Sequence, residues 1–476
     1  MRRKTMTLTA ETKTAAGQIR EKSGENILLC YQCKKCTLGC PLSSEMDLKP
    51  NQLIRLLQLG RLDRVLESKA IWLCASCQTC TTRCPASIDI ARVMDSLKML
   101  AQERGVESKL PSSIDFINAG LRSMKSSGRM HELSLMLEMN LKAGKPFRDA
   151  GMGLKMLKTG RLRLLPERSR SLKKLKRKER PATEADTIAY YPGCSLHASG
   201  SEYDKSFKAV AEALGIKLVE PRGWTCCGST PAHWKSHELA TDMPLKNLSL
   251  IEAEGHKAVT VPCAMCFSRL KHAAHDVGEN PELKRGVTEK TGYEYAGQVE
   301  IQNAVDTILK RVGLDVISGK VRKPATGLKV ACYYGCLLTR PPEVTGAEHP
   351  EYPVGMDHLM QALGATTVDW SYKTECCGGS MSVIDTNTCL NMVKRILDEA
   401  KAVGADIIVT ACPMCHSNLD ARQPALGQRE GQSYEVPILY FTQLLALALG
   451  LGEKKADLEG HMVEAKPLLR EKGLLA

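Results

Sequence analysis

Aromatic residues make up only 4% of this 476-residue sequence, and no apolar run reaches the roughly 20 residues that a membrane helix needs. The longest, Val436 to Leu451, is interrupted by Thr442 and Gln443, so any membrane association is expected to come through a partner. The polar start Met1-Arg2-Arg3-Lys4 leads into Thr and Glu instead of an apolar segment, so no secretory signal is expected and the expected location is cytoplasmic. A Gly-x-Gly-x-x-Gly signature is also missing, so neither flavin nor NAD is expected in this chain. Acidic residues are too few to balance the basic ones, and the formal net charge is +13. The excess is local: Lys155 to Arg180 holds twelve Lys or Arg against Glu167 and Glu179, which accounts for +10. Such a block reads as a solvated linker or docking arm, and no nucleic-acid partner is expected. The remaining composition, 43% hydrophobic and 25% charged, is that of a soluble globular protein, and at about 150 residues per domain the length suggests two to four domains.

Cysteine, by contrast, is abundant. Twenty cysteines in a chain without an export signal argue for metal ligation over a disulfide scaffold. Eight of them form two runs with one rule, Cys30-x2-Cys33-x2-Cys36-x3-Cys40-Pro41 and Cys74-x2-Cys77-x2-Cys80-x3-Cys84-Pro85, offset by 44 residues. This is the bacterial ferredoxin pattern, in which the fourth ligand of each cluster comes from the other run. It assigns Cys30, Cys33, Cys36 and Cys84 to one 4Fe-4S cubane and Cys74, Cys77, Cys80 and Cys40 to a second. A pair of zinc sites fits the spacing less well, because zinc favours separate C-x2-C pairs. Between the runs, Leu53, Ile54, Leu56, Leu57, Leu59, Leu62, Val65 and Leu66 recur at helical spacing after Pro50. Residues 90–165 hold no cysteine, and Leu133, Leu135, Met136, Leu137 and Met139 again suggest helical packing, as core or as an adaptable interface.

A second cysteine grammar occurs twice. Its first copy is Cys194, Cys226-Cys227-Gly228 and Cys263-x2-Cys266; the second is Cys336, Cys376-Cys377-Gly378 and Cys412-x2-Cys415. Ala213-Leu214-Gly215 and Ala362-Leu363-Gly364 precede the two Cys-Cys-Gly motifs at similar places. Ala258-Val259-Thr260-Val261 and Ile407-Ile408-Val409-Thr410 read as buried strands running into the two C-x2-C pairs. A strand, a C-x2-C and then a helix sets thiolates near a helix N-terminus, where amides and the dipole lower their pKa. The site cysteines are therefore expected at the carboxyl ends of strands. Adjacent cysteines such as Cys226 and Cys227 suit a multi-iron cluster better than one metal ion.

The N-terminal part, including Ile71-Trp72-Leu73-Cys74-Ala75-Ser76-Cys77-Gln78-Thr79-Cys80, resembles the α-helical ferredoxin domain of heterodisulfide reductase C subunits and succinate dehydrogenase iron-sulfur proteins. The duplicated part resembles heterodisulfide reductase B subunits and related lactate, glycolate and glycerol-3-phosphate oxidoreductase subunits. The fusion order is similar to that of the D subunit of membrane-linked heterodisulfide reductases. The resemblance implies a noncubane 4Fe-4S cluster on each complete five-cysteine set, two cubanes and two noncubane clusters in all. It implies an α+β multi-domain chain: an α-helical ferredoxin domain at 1–100, a helical extension and basic linker at 101–186, α/β cysteine-rich (CCG) domains at 187–320 and 321–452, and a tail at 453–476. It also implies an oxidoreductase that takes electrons through the cubanes and cleaves a disulfide at the paired noncubane clusters. The implied partners are a flavin-containing, electron-bifurcating A-type subunit or a membrane cytochrome, with hydrogenase, formate dehydrogenase or other iron-sulfur subunits as further company. The alternatives are a non-catalytic electron conduit in a lactate- or glycolate-type dehydrogenase or quinone-linked complex, and a structural zinc protein. Cys332 and Cys389 fall outside both sets and read as small buried residues. His197 and His416 lie near cysteines and are candidates for proton delivery, with packing or a hydrogen bond to cluster sulfur the stronger reading.

Overall fold

The structure is a computed structural model that describes residues 14–169 and 187–476. Most of the basic run expected to form a linker or docking arm lies outside the described residues. The N-terminal module is helical. Pro50 opens the helix Pro50–Gln58, since its fixed φ suits a first turn where no N–H is needed. Leu53, Ile54 and Leu57 turn one face of that helix into the core. Helices Leu62–Leu66 and Lys69–Leu73 then carry the chain to the second cysteine run, burying Val65, Leu66, Ile71 and Trp72. Each fully buried side chain of this size contributes about 1.5–3 kcal/mol of transfer free energy. Helix Ile90–Glu103 follows, its N-terminus capped by the Asp89 carboxylate, which accepts from the Arg92 amide at 2.9 Å. Pro111–Ser127, Glu132–Lys142 and Ala150–Lys158 complete the helical extension.

The remainder is built on two four-stranded sheets. Strands β1 (Thr187–Tyr190), β2 (Lys217–Val219), β3 (Ala258–Val261) and β4 (Glu300–Asn303) pair in the order β2-β1-β3-β4. Strands β5 (Lys329–Tyr333), β6 (Thr366–Thr367), β7 (Ile407–Thr410) and β8 (Ile438–Tyr440) repeat it as β6-β5-β7-β8. All pairings are parallel, with Ala189 opposite Val259 and Cys332 opposite Val409. Parallel sheets are covered on both faces, and accordingly every residue of β3 and β7 is buried. The duplication read from the cysteines is thus a duplication of fold.

The two sheet units share one continuous core with the helical module. Tyr203 stacks on Tyr440 with ring centroids 4.3 Å apart, and the Ser206 and Thr442 hydroxyls meet at 2.7 Å. Fully buried Arg340 donates to Thr79 Oγ1 at 2.8 Å and to the Thr374 carbonyl at 2.9 Å, tying the second N-terminal cysteine run to the second sheet unit. Residues after 452 fold back onto this core, with Leu469 and Leu474 buried. Among the described residues no helix is long and apolar enough to cross a membrane.

Candidate metal centres

Both N-terminal runs wind along the same path. The residues flanking the middle cysteine take left-handed backbone, Gln32 at φ 63° and Lys34 at 65° in one run, Ser76 at 51° and Gln78 at 62° in the other. Such conformations cost non-glycine residues about 1–2 kcal/mol each, and they persist where the surroundings fix them. The winding gathers the thiols. Cys36 lies among Cys30, Cys33 and Cys84, and Cys80 lies among Cys74, Cys77 and Cys40, so the fourth cysteine of each run crosses to the other group. Burial pushes the Cys36 thiol up to about 11, with Cys30, Cys33 and Cys84 adding to it against a bond from Thr37. Burial likewise drives Cys80 well above the ordinary thiol range, with Cys74, Cys77 and Cys40 next. Thiols crowded out of water in this way can all be deprotonated together only when a cation takes the place of their protons. Donors already point at sulfur, Gln32 Nε2 at 3.3 Å from Cys30 and the Ile88 amide at 3.4 Å from Cys84. The first group opens outward: Cys33 is exposed, and so are Leu28, Leu29, Tyr31 and Leu38.

In the sheet units the cysteines stand beyond strand carboxyl ends. Cys194 follows β1 and Cys336 follows β5, while Cys263 and Cys412, just past β3 and β7, cap the helices Ala264–Glu279 and Pro413–Ala421. Cys226-Cys227 and Cys376-Cys377 come in from the loops after β2 and β6. The structure brings each five together: Cys227 and Cys266 Sγ are 3.3 Å apart, Cys377 and Cys415 Sγ are 3.7 Å apart, and Cys194 and Cys336 bond Cys226 and Cys376. The thiols share protons unevenly. Bonds from Cys194 and Cys227 hold Cys226 well down, and a bond from Cys415 lowers Cys377. At Cys412, bonds from the Cys263 and Cys415 thiols hold the thiol far down, and the Cys415 and Ala264 amides at the two helix N-termini add a smaller contribution. At Cys263 the outcome is the opposite: despite a bond from Cys266, its bond to Cys412 and its burial push it well up.

Two glycines give these thiols their room. Gly193 (φ 72°) and Gly335 (φ 69°) occupy equivalent positions, and a Cβ on either would meet Cys266 Sγ or Cys415 Sγ at 2.8 Å. Donors reach other sulfurs of the two sets: the Met130 amide lies 3.3 Å from Cys194 Sγ, the Gly378 amide 3.4 Å from Cys376 Sγ and Asn418 Nδ2 3.5 Å from Cys377 Sγ.

The four groups adjoin one another in series, beginning with Cys40 of the second N-terminal group, which feels Cys36 of the first. Cys77 is in side-chain hydrogen-bond contact with Cys376, which joins the second N-terminal group to the second sheet unit. Cys263 and Cys412 are in the same kind of contact, joining the two five-cysteine sets. Met265 and Met414, each inside a C-x2-C, line both the space at the first set and the space at the second. The second set encloses only about 30 Å³. The first set opens into a cavity of about 190 Å³ to which seven methionines contribute.

Several other sequence-level candidates find their places. Cys332 and Cys389 are fully buried small residues, as expected; Cys389 backs Gly378, where a Cβ would meet its Sγ at 3.0 Å. His416 is sealed: its Nε2 lies 3.0 Å from the Ile438 carbonyl and 3.1 Å from His461 Nδ1, and its ring stacks on Tyr440. His197 is held between Glu167 and Glu220 with its ring edge-on to Trp224. His197 thus serves ion pairing and packing, and His416 packing and a neutral hydrogen-bond network. The methionine stripe is more than core, because Met136 faces the cavity while Met139 is buried. Sequence reading passed over Gly193, Gly335, Asn418 and the Asp95-Lys98-His233 cluster. Only the glycines left a signal, the repeated Gly-Cys that follows β1 and β5.

The Cysteine-rich domain family matches residues 188–271 and 330–420, and the 4Fe-4S dicluster domain family matches residues 26–88. The B subunit of the ferredoxin/F420H2-dependent CoB-CoM heterodisulfide reductase of Methanosarcina acetivorans is 31% identical over 284 residues, 58% of this chain and 94% of that protein. This chain belongs to the heterodisulfide reductase B family. Its relatives there align with a little over half of the chain. The 8-methylmenaquinol:fumarate reductase membrane anchor subunit of Wolinella succinogenes is also 31% identical, over 59% of this chain and 98% of its own length. The crystal structure of a hypothetical protein from Helicobacter pylori superposes with a TM-score of 0.58 at 12% identity, over 97% of this chain and 76% of that one, a likeness of fold alone. As a family member with a dicluster domain ahead of its two cysteine-rich domains, the chain is an iron-sulfur oxidoreductase.

Proposed function

We propose that this chain relays single electrons from a partner reductase to a disulfide bound beside its two five-cysteine sets. The observation that carries the reading is the series of neighbouring thiol groups from exposed Cys33, through Cys36 and Cys40, the Cys77-Cys376 contact and the Cys263-Cys412 contact, to the cavity. In this reading Cys30, Cys33, Cys36 and Cys84, and Cys74, Cys77, Cys80 and Cys40, hold two cubanes. Cys194, Cys226, Cys227, Cys263 and Cys266, and Cys336, Cys376, Cys377, Cys412 and Cys415, hold two noncubane clusters. Bound clusters supply one-electron steps and iron that can take up sulfur. The disulfide accepts two electrons and two protons and leaves as two thiols, so two one-electron sites side by side match its stoichiometry. The donor is a separate flavin-containing subunit or a membrane cytochrome, docking at Cys33 and its exposed apolar surround.

A second reading has a specific support: the relative from Wolinella succinogenes is a subunit of an 8-methylmenaquinol:fumarate reductase. In that case the same series of thiol groups serves as a conduit and the chemistry lies in a partner. Anaerobically purified protein separates the readings. About sixteen irons per chain, with a paramagnetic signal in the oxidised state that changes on adding thiol, is the result expected for disulfide chemistry. The same iron without a thiol response selects the conduit, and about eight irons rejects ligation by the five-cysteine sets.

One substitution tests that ligation more sharply. Gly335→Ala places a methyl against Cys415 Sγ in a left-handed backbone. It is expected to lose about four irons per chain while leaving the ferredoxin-like complement intact. Unchanged iron and sulfide contents would remove Cys415 from the ligand set.

A further inference from the structure

We propose that the cavity beside the first five-cysteine set takes a thiol or disulfide with an uncharged, chain-like apolar body, and discriminates against anionic ones. This rests on reading Cys194, Cys226, Cys227, Cys263 and Cys266 as cluster ligands. Beyond those cysteines the walls include Phe116 and the methionines Met130, Met136, Met152, Met156 and Met462, while the uncharged polar residues there are six serines and Asn418. Methionine is unbranched and polarizable, so such walls adapt to flexible apolar chains.

Four charged residues also reach the cavity, and all four are already engaged. Arg161 donates to the Ser199 carbonyl at 2.9 Å and to the Gly460 carbonyl, and pairs with buried Glu202 at 2.7 Å. Arg422 donates to Ser382 Oγ and O at 3.0 Å and pairs with Asp149 at 2.9 Å. Glu132 accepts from the Ser199 hydroxyl at 2.9 Å, and Asp420 from the Met462 and Val463 amides at 2.7 and 3.0 Å. An entering sulfonate, phosphate or carboxylate therefore meets two carboxylates and no uncommitted cation among the described residues. Burying it there leaves its charge unpaired, which is costly. An alkyl chain gains with each methylene removed from water.

The cavity is asymmetric. It faces the first set, whereas the second set is enclosed and touches the N-terminal module through Cys77. Substrate and electrons thus approach the paired sets from opposite sides. Two of the wall residues, Met152 and Met156, lie one turn apart on the half-exposed helix Ala150–Lys158, which supplies no buried residue and can be altered without disturbing the core.

The test titrates anaerobic, full-length, cluster-loaded protein with 1-hexanethiol and with 6-mercaptohexanoate, which share a chain length and differ in the terminal charge. Bound thiol is measured by equilibrium dialysis, alongside the paramagnetic signal. Hexanethiol is expected to half-saturate at a concentration about tenfold or more below that of the carboxylate. Met156→Glu is expected to weaken hexanethiol binding by about tenfold, and Met156→Leu to retain it. Equal or tighter binding of the carboxylate, or a Met156→Glu variant that binds hexanethiol like the parent, overturns the apolar assignment and leaves cluster ligation standing. About eight irons per chain in the same preparation overturns the ligation reading, and this proposal with it.

Discussion

Cys77→Ser is expected to reduce partner-driven disulfide reduction to background while leaving both five-cysteine sets loaded with iron. Cys77 occupies the middle of the second N-terminal run, and among the described residues it is where that module's thiols meet those of the sheet units, through Cys376. Cys336 feels the same group, so the junction is made by two cysteines of the second set and none of the first. A serine hydroxyl is a harder, far less acidic ligand than a thiol, and a 4Fe-4S centre that depends on it is lost or crippled. Iron content should fall by at most about four per chain. The paramagnetic response of the five-cysteine sets to thiol should survive, because the Cys263-Cys412 junction and the cavity are untouched. A variant that still accepts electrons from its partner at more than half the parental rate would mean that electrons reach the second set by another route.

Much of this arrangement was legible in the sequence because cysteine spacing is a chemical constraint that survives burial and packing. The 44-residue offset between the N-terminal runs and the exchange of their fourth cysteines both have counterparts in space, where Cys84 joins Cys36 and Cys40 joins Cys80. The buried strands were readable too, since β3 and β7 are short apolar runs that end at a C-x2-C. What escaped notice depends on contacts distant in sequence. Gly335 is 80 residues from Cys415, and only the folded backbone shows that a methyl would strike that sulfur. The contact between Cys77 and Cys376 spans two domains, each of which is readable on its own. The cavity draws on helices of the extension and loops of both sheet units, so the methionine stripe, read along one helix, resembled ordinary packing. Low thiol pKa values were expected at both C-x2-C pairs, yet of these four thiols Cys412 alone is held down, chiefly by its bonds from Cys263 and Cys415, while Cys263, Cys266 and Cys415 stand well up, because neighbouring thiols cannot all give up their protons.

Lys98→Met is expected to destabilise the protein by about 3–5 kcal/mol at neutral pH and to lower the reduction potential of the centre at Cys74. The Lys98 side chain is 0% exposed, with its ammonium 2.9 Å from Asp95 Oδ1, 3.1 Å from the Cys74 carbonyl and 3.9 Å from the centroid of the Trp234 ring. Asp95 also accepts from Ser76 Oγ at 2.9 Å and pairs with His233 at 2.7 Å, so the cluster ties the second cysteine run to the helix Ser229–Lys235 of the first sheet unit. Burial works against the Asp95 carboxylate, yet Lys98 and His233 hold its pKa well below the usual carboxylate range. Removing Lys98 leaves that buried charge undercompensated. It also removes the positive charge that opposes the effect of burial on Cys74, whose thiol stands at about 11. Less positive charge beside an iron-sulfur centre disfavours its reduced form, which fixes the sign of the potential shift. The pH dependence adds a separate check. His233 is held down to about 4, chiefly by burial, with Lys98 among the cations that contribute. Its native pKa lies below its ordinary value, so the unfolded chain binds the extra proton first and the parent protein loses stability as pH falls from about 6.5 towards 4. Without Lys98 the imidazole can take up that proton in the folded state and pair with Asp95, so the gap in thermal midpoint between parent and variant should be widest above pH 7 and narrower near pH 5. A gap that stays constant across this range would mean that His233 does not titrate against Asp95, and that Lys98 acts through packing against Trp234 instead.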